Sequence, residues 1–574
     1  MTGPLSTLAP REFSSLMWSE RLIAHSSAKP WLIVPEAPER VGNHRTTQYD
    51  ELCVAAHRVA FGLRREGVAL GDRVIVVADN SPESCLALLG GLVAGVTLVP
   101  VPPRQLGQRE EAWQCRVDQI RDQVQPRLSV ARASNRKAHE RLGRVFTVDE
   151  LQESSHALTA IDRLGSWTGT AVIQYTSGTT AVPRGVELTH ANIIHNILAI
   201  GAAFGVRGDD VVMGWLPMFH DMGLIGTFLA ATWFGVPLVL SKPASIFLHP
   251  AACLWAISRF RVTACAAPNS VYQMLATRVP AHRLEGLDLS SWRVAFNGSE
   301  AVHANTVRRF CERFERYGFR ARAMFPLYGL AENTLMATCP RYGHLPKIDW
   351  VDASALHGGE HAIAAEEHAA SAIPMVSMGG TARGLSLRIV GEDGQQKLLD
   401  REIGHIEVSG PCVMRGYYRD VNSTRQVMRD DGWLRTGDRG YVSEAELYVV
   451  GRSKHVIKRG GSLLDAAHIA GVVQAVSGVH RQGVAVFGAP NGSSGTEDLV
   501  VVVESSAGEG ERTALQTAIR HELQAQLAIQ PDLIAIVGPG EIARTTSGKV
   551  QHGVMRERFL TRGSVDSATS DSAE

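Results

Sequence analysis

Short runs of consecutive Val, Ile, Leu and Ala alternate with longer segments whose apolar positions recur at helical spacing, through about residue 340. Arg73-Val-Ile-Val-Val-Ala is followed by a helix pattern over 82–93 and then by Thr97-Leu-Val-Pro. Continuous apolar runs are what strands buried on both faces require, so the alternation predicts an α/β fold of helix-covered, mainly parallel sheets. Ala171-Val-Ile-Gln-Tyr, Asp210-Val-Val-Met-Gly-Trp, Thr263-Ala-Cys-Ala-Ala and Trp292-Arg-Val-Ala-Phe continue the theme. Two uncharged stretches, 84–103 and 222–241, have the length of about twenty residues that a bilayer demands. Each carries a turn, at Ala94-Gly95 or Gly235-Val236-Pro237, and reads as a buried helix followed by a short strand, not as a membrane span.

Over 340–377 the pattern breaks, and the chain turns polar and rich in Ala, His and Glu, with HGGEHAIAAEEHAA in its middle. This predicts an inserted surface segment carrying a short helix. Ser386-Leu-Arg-Ile-Val, His405-Ile-Glu-Val-Ser and Leu447-Tyr-Val-Val then suggest a small β-rich portion that completes a large part over 1–453. From Lys454 to about residue 560, strand patterns at Val484-Ala-Val-Phe, Leu499-Val-Val-Val-Val and Leu533-Ile-Ala-Ile-Val surround a helix over about 512–527, a small α+β domain. The tail 561–574, rich in Ser, Asp and Ala, is expected to be disordered.

Charge narrows the range of partners. Lys and Arg number 58 against 58 Asp and Glu, so no global field attracts nucleic acid or an anionic membrane surface, and an anionic ligand must be held by local groups. Eight cysteines lie scattered without a C-x-x-C pair, which reads as reduced, mostly buried thiols. The start MTGPLSTLAPREF lacks the basic and apolar halves of a secretory signal, and a cytoplasmic location is expected. No G-x-G-x-x-G follows a strand in the first part, which disfavours a dinucleotide-dependent oxidoreductase.

Against this background one loop stands out. Tyr175-Thr-Ser-Gly-Thr-Thr-Ala-Val-Pro-Arg-Gly follows a strand pattern and precedes a helix pattern. Its small hydroxyl residues and glycines leave backbone N–H groups for phosphate oxygens, and Arg184 adds charge. Asn297-Gly-Ser-Glu, Tyr328-Gly-Leu-Ala-Glu, Gly432-Trp-Leu-Arg-Thr-Gly-Asp, Gly451-Arg-Ser-Lys and Thr545-Thr-Ser-Gly-Lys follow in order. Together these motifs resemble the adenylate-forming (AMP-binding) superfamily over about 14–559. Trp215-Leu-Pro-Met-Phe-His-Asp-Met-Gly-Leu-Ile-Gly, Ala267-Pro-Asn-Ser and Phe325-Pro-Leu-Tyr-Gly-Leu-Ala-Glu-Asn-Thr-Leu, with the insertion, look most like its fatty acyl-AMP ligases.

The resemblance implies roles residue by residue. Thr176, Ser177, Gly178, Thr179, Thr180 and Arg184 would hold phosphates; Gly298, Ser299, Glu300 and Gly329 would line the adenine side. Tyr328 would stack on adenine, Asp438 would accept both ribose hydroxyls, and Arg452 would reach the ribose or phosphate. Glu332 would hold Mg2+, His220 would lie near the substrate carboxylate, and Lys549 would contact the carboxylate and α-phosphate. Trp215, Met222, Gly223, Gly226, Pro268 and Ser270 would wall an acyl pocket for a lipid-like or bulky apolar acid. Lys454 would sit at the hinge of a mobile small domain, and Gly460 and Gly461 would let pantetheine pass. The cofactors so implied are ATP or acyl-AMP, Mg2+, and CoA or the phosphopantetheine of an acyl carrier protein.

Two departures bear on mechanism. The superfamily pattern has Gly and Lys where this loop has Ala181 and Arg184, and a methyl group there would crowd the β- and γ-phosphates, which acyl-AMP lacks. The Gly460-Gly461 pair resembles acyl-CoA ligases, whereas the insertion resembles acyl-AMP ligases, so CoA and carrier protein both stand as acceptors. Three functions follow: an enzyme that activates an acid and transfers it to a thiol, one that only transfers from supplied acyl-AMP, and a non-catalytic acyl-adenylate-binding module.

Overall fold

The computed structural model describes residues 13–560 apart from 38–39, 105–109, 136–138, 154–163, 177–182, 368, 370, 453–455, 460–461, 481, 492–495, 528 and 545–549. Two seven-stranded sheets arise where the apolar runs predict strands. One is ordered Met324–Pro326, Val294–Asn297, Ala264–Ala267, Val212–Gly214, Leu238–Leu240, Pro30–Ala37 and Arg40–Gln48, parallel except for its last pair. The other is ordered Gly416–Tyr417, Arg184–Thr189, Thr170–Thr176, Thr97–Val101, Arg73–Val77, Leu128–Val130 and Val145–Phe146, parallel except for the first two pairs. A single core that includes Trp18, Leu88, Val172, Phe228 and Tyr272 runs through both.

The two uncharged stretches show why they are apolar. Pro82–Ala94 begins at the Ser81 cap, stops at Gly95 with φ +67°, and is buried on nearly every side. Met222–Leu229 is a π-helix, continued by Ala230–Phe234 and stopped by Gly235, also at φ +67°. Each hands over to a buried strand, Thr97–Val101 or Leu238–Leu240. Among the described residues no helix is long and apolar enough to cross a membrane.

An antiparallel sheet of Ser386–Val390, Gly404–Ser409, Leu434–Ser443 and Glu446–Arg452 forms the β-rich portion. Beyond it, Val484–Asn491 and Thr496–Glu504 pair antiparallel and Leu533–Val537 adds a parallel strand, beside the helices Ala466–Gln474 and Glu509–Leu527. Lys454, Gly460, Gly461, Lys549 and the tail 561–574 lie outside the described residues.

The segment 340–377 is more than a surface appendage. Ile348–Asp352 and Ala372–Val376 form an antiparallel hairpin, with the helix Ala353–Gly358 following the first strand. Val351, Leu356 and Ile373 share one hydrophobic core with Ile457, Ile469, Val473 and Leu523 of the C-terminal part. The polar run in its middle masked these flanking apolar residues in the composition. At the same junction the rings of His303 and His468 lie 5.8 Å apart, and Gly471 lets its helix close on His303, where a Cβ would stand 2.2 Å from Nε2.

Candidate active site

Asp438 is the centre of the best-defined cluster. Tyr328 Oη donates to its Oδ2 at 2.6 Å, and Arg452 Nε donates to its Oδ1 at 2.9 Å. Asp438 and Tyr328 are both buried. Burial and the adjoining carboxylate push the Tyr328 hydroxyl well above its ordinary range, so it remains a donor. The carboxylate in turn keeps the Arg452 guanidinium charged. A carboxylate has about four lone-pair sites, so with two donors bound it can still receive a diol.

A β-bulge makes this meeting possible. Arg439 pairs with Gly451 and Gly440 with Val449, so Val450 is the extra residue. In a regular ladder of the same length Gly451 would stand opposite Asp438 and Arg452 would point to the opposite face; with Val450 bulged out, Arg452 stands directly across from Asp438. The alternate positions of Leu434–Ser443 face the inserted segment instead. Arg439 donates to the Gly359 carbonyl at 3.1 Å and Tyr441 donates to Asp349 at 2.6 Å, while Ser443 Oγ accepts at 3.1 Å from Arg401, which itself donates to the Ala362 carbonyl of that segment.

Glu332 lies in a short turn, Ala331–Asn333, closed by Thr334 at φ +65°. Its Oε1 accepts from Tyr417 Oη at 2.8 Å. Gly329 has no room for a side chain, because a Cβ there would stand 2.0 Å from the Leu335 carbonyl oxygen. Thr176 and Arg184 are cross-strand partners at the base of the predicted phosphate loop, whereas Ser177, Gly178, Thr179, Thr180 and Ala181 lie outside the described residues. Arg116, which the sequence reading missed, donates from Nη2 to the Thr176 carbonyl at 3.3 Å, and its Nε is buried without a partner. Its position in an ordinary amphipathic helix gave no signal.

Ser299 adopts φ +71° beside Gly298, where a Cβ would stand 3.0 Å from the Leu327 carbonyl oxygen. Glu300 and Ser270, assigned to different pockets, are joined here. The Glu300 carboxylate accepts from Ser270 N–H at 2.9 Å and from Ser270 Oγ at 3.2 Å. It thereby caps the helix Asn269–Arg278, whose N-cap is Pro268.

Around the predicted acyl pocket, Gly223 allows the π-helix to meet the loop before it, since a Cβ would stand 2.2 Å from the Pro217 carbonyl oxygen. His220 Nδ1 lies 2.5 Å from Asp221 Oδ1. Asn80 fastens the same loop, donating to Leu216 O at 3.0 Å and accepting from Met218 N–H at 3.2 Å. Met222 joins Phe296, Phe325 and Leu335 in a separate apolar cluster, and Trp215 meets Phe247 edge-on at 5.9 Å. Gly226 lies against Leu335.

Two sheets sharing one core, followed by a small α+β part, are the architecture of adenylate-forming enzymes. A structure from a study of fatty acyl-adenylate ligases of E. coli and L. pneumophila superposes with a TM-score of 0.87, covering 96% of this chain and 98% of that one at 26% identity. The chain belongs to the AMP-binding enzyme family, whose profile matches residues 30–418. It is 29% identical to the medium-chain-fatty-acid–[acyl-carrier-protein] ligase JamA of Moorena producens, over 97% of this chain and 96% of that one. It is 31% identical to the long-chain-fatty-acid–AMP ligase FadD26 of Mycobacterium bovis, over 86% and 88% respectively.

Proposed function

We propose that the chain joins a lipid-like carboxylic acid to ATP, giving acyl-AMP and pyrophosphate, and then passes the acyl group to the phosphopantetheine thiol of an acyl carrier protein. The observation that carries this reading is the buried Asp438 carboxylate, held by Tyr328 and Arg452 and able to receive a ribose diol. In the first step a carboxylate oxygen attacks the α-phosphorus and the bond to pyrophosphate breaks. In the second the thiol sulfur attacks the acyl carbon, AMP leaves with the electron pair, and the thiol proton passes to solvent. No protein nucleophile is required, so catalysis consists of positioning and charge stabilisation.

Glu332 is a hard oxygen donor, which fits Mg2+, a cation that takes one or two carboxylates together with phosphates and water. When bound, Mg2+ supplies neutralisation of phosphate charge. Lys549 and His220 would act on the acid carboxylate, and Arg184 on the phosphates. The carrier-protein acceptor is supported by the relative from Moorena and by the inserted segment, which shares a core with the C-terminal part.

A panel of fatty and cyclic acids tests this by ATP–pyrophosphate exchange, followed by thioester formation on holo carrier protein or CoA. Exchange followed by product on the carrier alone is expected; equal transfer to CoA removes the carrier-protein assignment. Ala181 and Arg184 favour a second reading, transfer from supplied acyl-AMP without ATP activation. Absence of exchange together with thioester formation from synthetic acyl-AMP establishes that second reading. Turnover lost in Lys549→Ala and Asp438→Ala excludes a non-catalytic binding module.

A further inference from the structure

Tyr417 has no part in the steps above, yet separate contacts converge on it. Its hydroxyl donates to Glu332 Oε1 at 2.8 Å. Its backbone pairs with Val186, two residues beyond Arg184 on the strand that leaves the phosphate loop, and its N–H donates to Thr424 Oγ1 at 2.9 Å. The Arg184 guanidinium stands over its ring, 5.6 Å from the centre. Glu332 is gripped a second time from the same segment, since Met414 N–H donates to its carbonyl at 2.8 Å.

A glutamate on a one-turn loop can place its carboxylate in many rotamers. A buried phenol bound to one oxygen selects among them and leaves Oε2 for a cation. Arg184 matters to the same arrangement through its shape. A planar guanidinium can lie on an aromatic face, whereas a lysine ammonium would act as a compact point charge.

We propose that Tyr417 is a positioning residue that fixes Glu332 for a magnesium–triphosphate complex, and that Arg184, lying over the same ring, ties the phosphate loop to that carboxylate. This rests on the reading of Glu332 as the metal-holding carboxylate. It places the demand for Tyr417 in the adenylation step, because acyl-AMP carries no β- or γ-phosphate.

The test uses the full chain and reads Mn2+ affinity by electron paramagnetic resonance in the presence of a non-hydrolysable ATP analogue. Tyr417→Phe is expected to weaken Mn2+ binding about 10-fold, the scale on which a partner of a metal ligand acts. Thioester formation from synthetic acyl-AMP and the melting temperature should stay close to those of the parent protein. Thr424→Val removes the bond to the Tyr417 N–H but keeps the hydroxyl, and should leave Mn2+ affinity unchanged; an equal loss there overturns the role of the hydroxyl. Normal Mn2+ affinity in Tyr417→Phe beside weakened affinity in Glu332→Gln overturns the proposal alone. Normal affinity in Glu332→Gln overturns the reading of Glu332 on which it stands.

Discussion

Leu335 occupies the space that a side chain on Gly226 would need, its Cδ2 lying 2.5 Å from where a Cβ would stand. Gly226→Ala should only push aside the far end of the Leu335 side chain and change stability by less than about 1 kcal/mol. Leu335→Ala should cost about 2–5 kcal/mol by leaving a cavity. Because the added methyl fills part of the space the leucine vacates, the double variant should lose less than the sum, which urea denaturation of all four proteins measures.

Asp438 accepts from two donors in a buried setting, so an Asn there, which keeps one acceptor oxygen and no charge, strands one of them. Asp438→Asn should weaken binding of a non-hydrolysable acyl-adenylate analogue about 100-fold, consistent with the loss expected for a buried, hydrogen-bonded charge pair. Isothermal titration reads this directly. An affinity within a few-fold of the parent would remove Asp438 from the nucleotide site.

Gly379 combines φ +77° with a backbone wall, as a Cβ would stand 2.0 Å from the Cys339 carbonyl carbon. Gly379→Ala should destabilise the protein by more than about 2 kcal/mol. Gly343, at φ +80° with open space around it, isolates the conformational cost alone. Gly343→Ala should cost about 1 kcal/mol, and the difference in melting temperature between the two variants reports the clash.

Burial lowers His303 to about 4 and His468 to about 3, the latter helped by His303 and His357. Folded, these rings are neutral well below the pH at which the unfolded chain, titrating near 6.5, takes up protons. Their contribution to stability is thus fully present above about pH 6.5 and is lost as pH falls toward about 4. Urea midpoints at pH 7.5, 6 and 5 should decline in that order, and less steeply in a His303→Gln, His468→Gln double variant. An unchanged slope would assign the acid sensitivity elsewhere.

Much of the fold was legible because buried parallel strands leave continuous apolar runs, as at Arg73–Val77 and Val294–Asn297. The motifs likewise marked the loops around Tyr328, Glu332 and Asp438. What escaped was contact between segments far apart in the chain. Nothing local to Tyr417 announces Glu332, nothing in Glu300 announces Ser270, and the phenol of Tyr328 gives no sign of its bond to Asp438. The buried side of the inserted segment was hidden for a related reason, since Val351 and Ile373 lie outside its polar middle.

Val450 sets the frame of its strand. Tyr448 stacks on Tyr441 on one face while Arg452 reaches Asp438 on the other, although residues four apart on a regular strand share a face. Straightening the bulge with Val450 retained would put Gly451 in place of Arg452 beside Asp438, whereas deleting Val450 would close the ladder and leave Arg452 opposite Asp438. The bulge is therefore what reconciles the length of this hairpin with the proposed nucleotide pocket, and a transplant of the Asp438 motif into another sheet must carry either the bulged Val450 or a strand one residue shorter.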